Sequence, residues 1–374
     1  VPKPRGDQWW LSAMGVQKAW EQSTGRGVTI ALIDSRPNLD LPEFDGADVR
    51  EGDKFNKRQN PALKGGIDKH HGTGMLAAIA AQGGGSGYVG VAPDVTVLAV
   101  SITALDRSEL AIRYAIDQGA DVVSMSFSSV NPVINDLRCD ADLEDVIAYA
   151  AERDVVLVAA AGNNRSDSNL TFQPAMCPGV VAVGGLSRKL KPRKKALEQD
   201  YIAVAAPSEK VFGLSYSGAA ALDDGGTSTA TAYTSAAVAL LRAKHPGESA
   251  RQIVSRLLYT AQDVHTPGRD DFTGYGLIRP DRAMTAEVPA GFANPVYDRL
   301  DAFTKKQAER KELLENPPPF TVGGDPEDRR EITSDRERYG PWLIGGLLFT
   351  LAAAVSGLLV FRRKRRTQQQ RPQL

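Results

Sequence analysis

Five short runs, mostly apolar and rich in β-branched residues, recur along the first half of the chain: Val28–Ile33, Val95–Val100, Val122–Ser126, Val155–Ala159 and Val180–Val183. A strand with one wet face alternates apolar and polar side chains, whereas one that stays apolar is covered on both faces. Between the runs lie segments with helical spacing, Gly74–Ala81, Ser108–Gln118 and Ala141–Arg153. Strands alternating with helices predict an α/β fold with a mostly parallel central sheet and helices on both faces. Ligands bind such sheets outside the carboxyl ends of the strands, so residues that follow each run are the candidates for chemistry.

Asp34 ends the first run, His71 opens a Gly-rich turn into a small-residue helix, and Ser228 lies in Gly225-Gly-Thr-Ser-Thr-Ala-Thr, a second glycine turn feeding an apolar helix. A serine hydroxyl becomes a competent nucleophile when a neutral imidazole takes its proton and a carboxylate holds that imidazole in the right tautomer. Singly, each residue also has a purely structural use as a helix cap or turn former. His70 competes with His71 as the base; Gly72 and Thr73 behind the second histidine favour His71.

The order Asp, His, Ser, with Ile-Ala-Leu-Ile-Asp34-Ser, His71-Gly-Thr-Gly and Gly-Thr-Ser228-Thr-Ala-Thr, resembles the subtilisin-like serine proteases over roughly residues 8–286. The resemblance implies the subtilisin-like three-layer fold and peptide-bond hydrolysis through an acyl-enzyme. Val158-Ala-Ala-Ala-Gly-Asn163 is similar to the family segment that bears the oxyanion-hole asparagine. The Asn163 amide and the Ser228 backbone N–H at a helix start would then meet the charge on the attacked carbonyl. Ser124-Met-Ser-Phe-Ser-Ser129 resembles the strand that pairs with substrate, which assigns Ser124, Ser126, Phe127 and Ser128 to substrate binding. Serines replace the glycines usual after Phe127, and added side chains narrow a groove that glycine leaves open, favouring small residues before the cleaved bond. Thr103–Arg107 passes almost directly into a helix, so the opposite groove wall looks shortened. Arg36 sets a cation beside Asp34 where the family commonly has glycine, and Ala232 stands where a proline is usual.

Asp7-Gln-Trp-Trp-Leu-Ser-Ala-Met-Gly-Val-Gln-Lys-Ala-Trp20, together with a C-terminal apolar run, resembles the mycosins, membrane-anchored subtilases associated with type VII secretion. That run, Trp342–Phe361, is uncharged and is followed at once by Arg362, Arg363, Lys364, Arg365 and Arg366. As a helix it reaches about 30 Å, the thickness of a bilayer's hydrocarbon core. Cations beside a span stay cytoplasmic, so residues before 341 are expected outside the cytoplasm. The expected organisation is an N-terminal arm at 1–27, a peptidase domain at 28–286, a Pro-rich charged stalk at 287–340, a transmembrane helix at 341–361 and a basic cytoplasmic tail at 362–374. A signal peptide is expected to have been removed.

Cys139 and Cys177 are the two cysteines, and outside the cytoplasm they are expected to pair, two buried thiols being the alternative. Lys plus Arg equals Asp plus Glu at 45 each, which gives no field favouring nucleic acid. The cationic stretch Arg188–Lys195 reads as a solvated loop, or as a surface for an acidic partner or membrane. Gly83–Gly90 lacks the Lys-Ser or Lys-Thr of a phosphate loop, and no zinc or calcium spacing occurs, so no cofactor or metal is expected. His245 and His265 are expected on the surface. The implied partners are a protein or peptide substrate, the membrane and membrane proteins of a secretion complex. A structural component of such a complex, with dispensable proteolysis, is the alternative function.

Overall fold

A computed structural model of the chain describes residues 1–55, 70–103, 105, 108–130, 139–163, 170–194 and 196–316. The expected membrane span and basic tail lie outside these residues, as does the stalk beyond 316. Among the described residues no helix is long and apolar enough to cross a membrane. The chain divides into two units, Val1–Ala308 and Glu309–Leu374.

The first unit opens with two short helices, α1 (Trp9–Ala13) and α2 (Val16–Ala19), and then alternates. Strand β1 (Thr29–Asp34) is followed by β2 (Asp48–Phe55), α3 (His71–Ala80), β3 (Thr96–Ile102), α4 (Ser108–Asp117), β4 (Val122–Met125) and β5 (Ser129–Val130). Then come α5 (Ala141–Glu152), β6 (Val156–Ala160), β7 (Phe172–Gln173), β8 (Val180–Leu186), β9 (Ile202–Pro207), β10 (Val211–Leu214) and β11 (Ala220–Asp223). Four helices follow: α6 (Gly226–Lys244), α7 (Ala250–Tyr259), α8 (Pro280–Ala283) and α9 (Pro295–Glu315).

Seven strands form one parallel sheet in the order β2-β3-β1-β4-β6-β8-β9. The five expected runs are strands within it, starting within one residue of expectation, and β8 runs three residues further, to Leu186. β4, β6 and β8 are buried along their whole length, as covered strands must be. α3 and α6 pack together against the sheet, while α4 and α5 form a second pair. Two sheet strands escaped the sequence reading. β2 carries Asp48-Val-Arg-Glu-Gly-Asp-Lys-Phe55 and is exposed or half-buried along its whole length, with the charged character expected of a sheet edge. β9 is short, and its run ends in proline.

The N-terminal arm is part of the core. Trp10, Leu11, Met14 and Val16 are fully buried. Trp10 stacks on Tyr233 of α6 with ring centroids 6.2 Å apart and packs at 5.9 Å against Tyr88, whose hydroxyl meets that of Tyr233. Gln8 imitates a strand partner: its Nε2 donates to the Val89 carbonyl at 2.9 Å, and its Oε1 accepts from Val89 N–H at 3.1 Å.

The stretch 287–308, expected to begin a stalk, instead belongs to the first unit. Val296, Tyr297 and Leu300 on α9 are buried, Arg299 donates to the Met176 carbonyl at 2.8 Å, and Gly179 N–H donates to the Val296 carbonyl. The helix expected near 304–315 therefore begins at Pro295. Cys139 and Cys177 are joined by a disulfide, with Cα atoms 5.2 Å apart. It closes a 38-residue separation, worth about 4 kcal/mol in the chain-entropy account.

Candidate active site

Asp34 is the last residue of β1, at the carboxyl edge of the central sheet, and is 1% exposed. Both of its carboxylate oxygens lie 2.9 Å from His71 Nδ1, and Oδ1 also accepts the Ser35 backbone N–H at 2.7 Å. A carboxylate accepts only, so Nδ1 carries the proton and Nε2 is left as the basic nitrogen. His71 opens α3, and that helix start is seated by Gly72, whose N–H donates to Ser35 Oγ at 2.8 Å. A Cβ at position 72 would stand 1.8 Å from the Ser35 carbonyl oxygen, so glycine is what lets the imidazole come down onto the end of β1.

Ser228 sits in the first turn of α6, a long helix buried through most of its length. The Gly225-Gly226 turn feeding it is sterically enforced: Gly226 has φ +66°, and a Cβ there would lie 2.9 Å from both Asn163 side-chain heteroatoms. Asn163, just past the end of β6, accepts at Oδ1 from Thr227 N–H at 3.1 Å and from Arg193 Nη1. His71, Asn163, Arg193, Asp224 and Ser228 line one cavity of about 420 Å³. The cavity thus gathers four kinds of group: an imidazole held by a buried carboxylate, a hydroxyl at a helix N-terminus, a side-chain amide and a guanidinium. Such a set can abstract a proton, deliver a nucleophile and stabilise an oxyanion.

The four residues assigned to substrate binding are not among those that line this cavity. Ser124 is fully buried on β4, in register with Leu32 and Val158 of its neighbours. Ser126 and Phe127 are also buried, and Ser126 Oγ donates to the Ser228 carbonyl at 3.0 Å, tying this strand end to the start of α6. Ser128 is partly exposed. Arg36 pairs with Glu51 at 2.7 Å, which raises the guanidinium's pKa and lowers that of the carboxyl. His70 lines the cavity and packs against Tyr216 at 5.4 Å. His245, expected on the surface, is partly buried with Nε2 3.0 Å from the Met284 carbonyl; burial and nearby Arg256 lower its pKa. Among the described residues no cluster of His, Cys, Asp or Glu has the makings of a metal site.

Two cavity residues had no signal in the sequence. Arg193 lies within a cationic stretch that reads as a solvated loop, and Asp224 precedes the glycine turn without belonging to any motif. Both need the folded geometry to be found.

A parallel sheet bearing these groups at its carboxyl edge defines a subtilisin-like enzyme architecture, and the chain belongs to the Subtilase family, whose model matches residues 25–276. It is 29% identical over 318 residues to fervidolysin of Fervidobacterium pennivorans, covering 75% of this chain and 44% of that protein. The chain thus spans less than half the length of that relative. It is 29% identical over 342 residues to Mycosin-3 of Mycobacterium tuberculosis, covering 74% and 71%. The solved structure of MycP3 protease from the type VII (ESX-3) secretion system aligns with a TM-score of 0.64 at 27% identity, covering 77% of this chain and 90% of that one.

Proposed function

We propose that this chain is a membrane-anchored serine endopeptidase that cleaves exported proteins, in the setting of a type VII secretion system. The observation that carries the peptidase reading is the buried Asp34 bonded to His71 Nδ1 on a cavity that also holds Ser228. The Ser228 hydroxyl attacks the scissile carbonyl carbon while its proton passes to His71 Nε2. Asp34 keeps the imidazole oriented and balances the imidazolium that forms. Negative charge on the carbonyl oxygen is met by the Asn163 amide and the Ser228 N–H, with the N-terminal end of α6 adding to the favourable field. Collapse breaks the C–N bond, the amine leaves with the proton from His71, and water then hydrolyses the acyl ester by the same steps in reverse roles.

The anchoring part of the proposal rests on the sequence of 341–366, and the secretion setting on the likeness to Mycosin-3 and MycP3. Serines at 128 and 129 favour a narrow groove and small residues before the cleaved bond. The test is cleavage of a peptide library by the full chain in detergent, beside Ser228→Ala. We expect a short set of cleaved peptides with small residues before the bond, and no turnover by the variant. Equal turnover by the variant would rule out Ser228 as nucleophile.

A further inference from the structure

Arg193 is a cationic side chain in this cavity that family resemblance does not explain. It follows β8, where its backbone N–H folds back onto the Gly185 carbonyl at 3.0 Å. Its side chain runs inward, only 16% exposed, through a slot cut by two glycines. A Cβ on Gly185 would stand 2.9 Å from Arg193 Cδ, and one on Gly226 would stand 3.2 Å from Nη1. At the end of the slot Nη1 donates to Asn163 Oδ1.

A solvated loop cation would not be threaded into the site in this way. A purely structural ion pair does not account for it either. Its acidic neighbour Glu209 is 4.0 Å away, and the buried Nε makes no hydrogen bond among the described residues. Burial lowers the guanidinium's pKa, while Glu209 and Asp224 oppose that shift and help to keep it charged.

We propose that Arg193 is a positioning residue for the oxyanion amide, an inference that rests on the peptidase reading. Arg193 Nη1 and Thr227 N–H can only donate, so the end of Asn163 that faces them must be its oxygen. Nδ2 is thereby directed to the other side, as an oxyanion donor requires. A cation on the amide oxygen also polarises the group and makes Nδ2–H a stronger donor. Arg193 acts through Asn163 and does not itself have to touch substrate.

The test is a double-mutant cycle in the full chain on a neutral peptide, with Arg193→Met, Arg193→Lys and Asn163→Ala. Since a whole oxyanion donor contributes about 10²–10³-fold, misdirecting it should lower kcat about 10- to 30-fold in Arg193→Met with KM within about twofold. Arg193→Lys should recover part of the loss, and Arg193→Met should cost no more than about twofold in the Asn163→Ala background. Full multiplicative loss in that background, or an effect confined to KM, would overturn the proposal. An arm without turnover is the ¹⁵N order parameter of the Asn163 side-chain amide in Ser228→Ala protein. We expect it to drop below about 0.6 when Arg193→Met is added. An unchanged value would overturn the clamp whatever the activity. A wild-type chain that cleaves no peptide while the order parameter still drops would sink the peptidase reading and leave the Arg193–Asn163 clamp standing.

Discussion

The two banks of the cavity are built by different means. On one side, Asp34 and His71 stand at the end of a central strand and the start of a helix, with the carboxylate almost wholly buried and pinned by a backbone N–H. On the other, Asn163 and Arg193 come from the segments that follow β6 and β8, and the amide is oriented by a backbone N–H and a cation. The first bank inherits its precision from the sheet. The second must be assembled from side chains, and its orientation depends on a charge that substitution can remove without disturbing a strand.

The comparison is tested first where the largest loss is expected. Asp34→Asn leaves the shape of the first bank but presents an amide to Nδ1, which favours the wrong imidazole tautomer, and we expect kcat to fall about 10⁴-fold. A loss below tenfold, read from initial rates, would mean that this bank does not work as drawn. On the second bank, Asn163→Ala removes one donor and should cost about 10²–10³ in kcat with little change in KM. If the two variants lost activity equally, the banks would not be distinct in kind.

Stability should divide the molecule along other lines. Trp10→Ala empties a site enclosed by Tyr88 and Tyr233 beneath α6, and should cost about 3–5 kcal/mol in denaturant unfolding. The arm would then be shown to hold the helix that presents Ser228, rather than to cover the groove. Replacing both Cys139 and Cys177 by serine should cost about 2–4 kcal/mol, since the link constrains the unfolded chain. The smallest effect concerns acid. His245 has a folded pKa below its ordinary 6.5, through burial first and Arg256 second. As pH falls through that value the unfolded chain takes up a proton that the folded chain resists, so stability declines below it and is unaffected well above. His245→Gln should flatten the change in Tm between about pH 7 and 5. A steeper slope in the variant would reverse the sign of this contribution.

How far the sequence could be read follows from what each segment buries. Strands covered on both faces, such as β4 and β6, leave an unbroken β-branched run and were found to within a residue or so. The edge strand β2 has no such run, because a sheet edge tolerates, and benefits from, charge. In the hairpin of β10 and β11, β10 buries Val211 and Leu214 but is only four residues long, and β11 is exposed along its length, so neither gives a run long enough to declare a strand. In α9 the anchoring residues Val296, Tyr297 and Leu300 lie near the proline at its start, ahead of a long charged stretch, so the whole segment resembled a stalk. Asp34, His71, Asn163 and Ser228 were legible because each sits where a strand ends or a helix begins, and because their order matches a known family. Ser124 is enclosed on β4, because a strand covered on both faces leaves none of its side chains at the surface. Arg193 was hidden because a run of cations looks the same whether one of them turns inward or all face solvent.

The claim on which the rest depends is that Asp34, His71 and Ser228 work as one nucleophilic unit. Mass spectrometry of the full chain after reaction with a serine-directed fluorophosphonate tests it most directly. We expect a single adduct on Ser228, absent in Ser228→Ala and much slower to form in Asp34→Asn. An adduct on a different residue, or labelling that persists in Ser228→Ala, would contradict it.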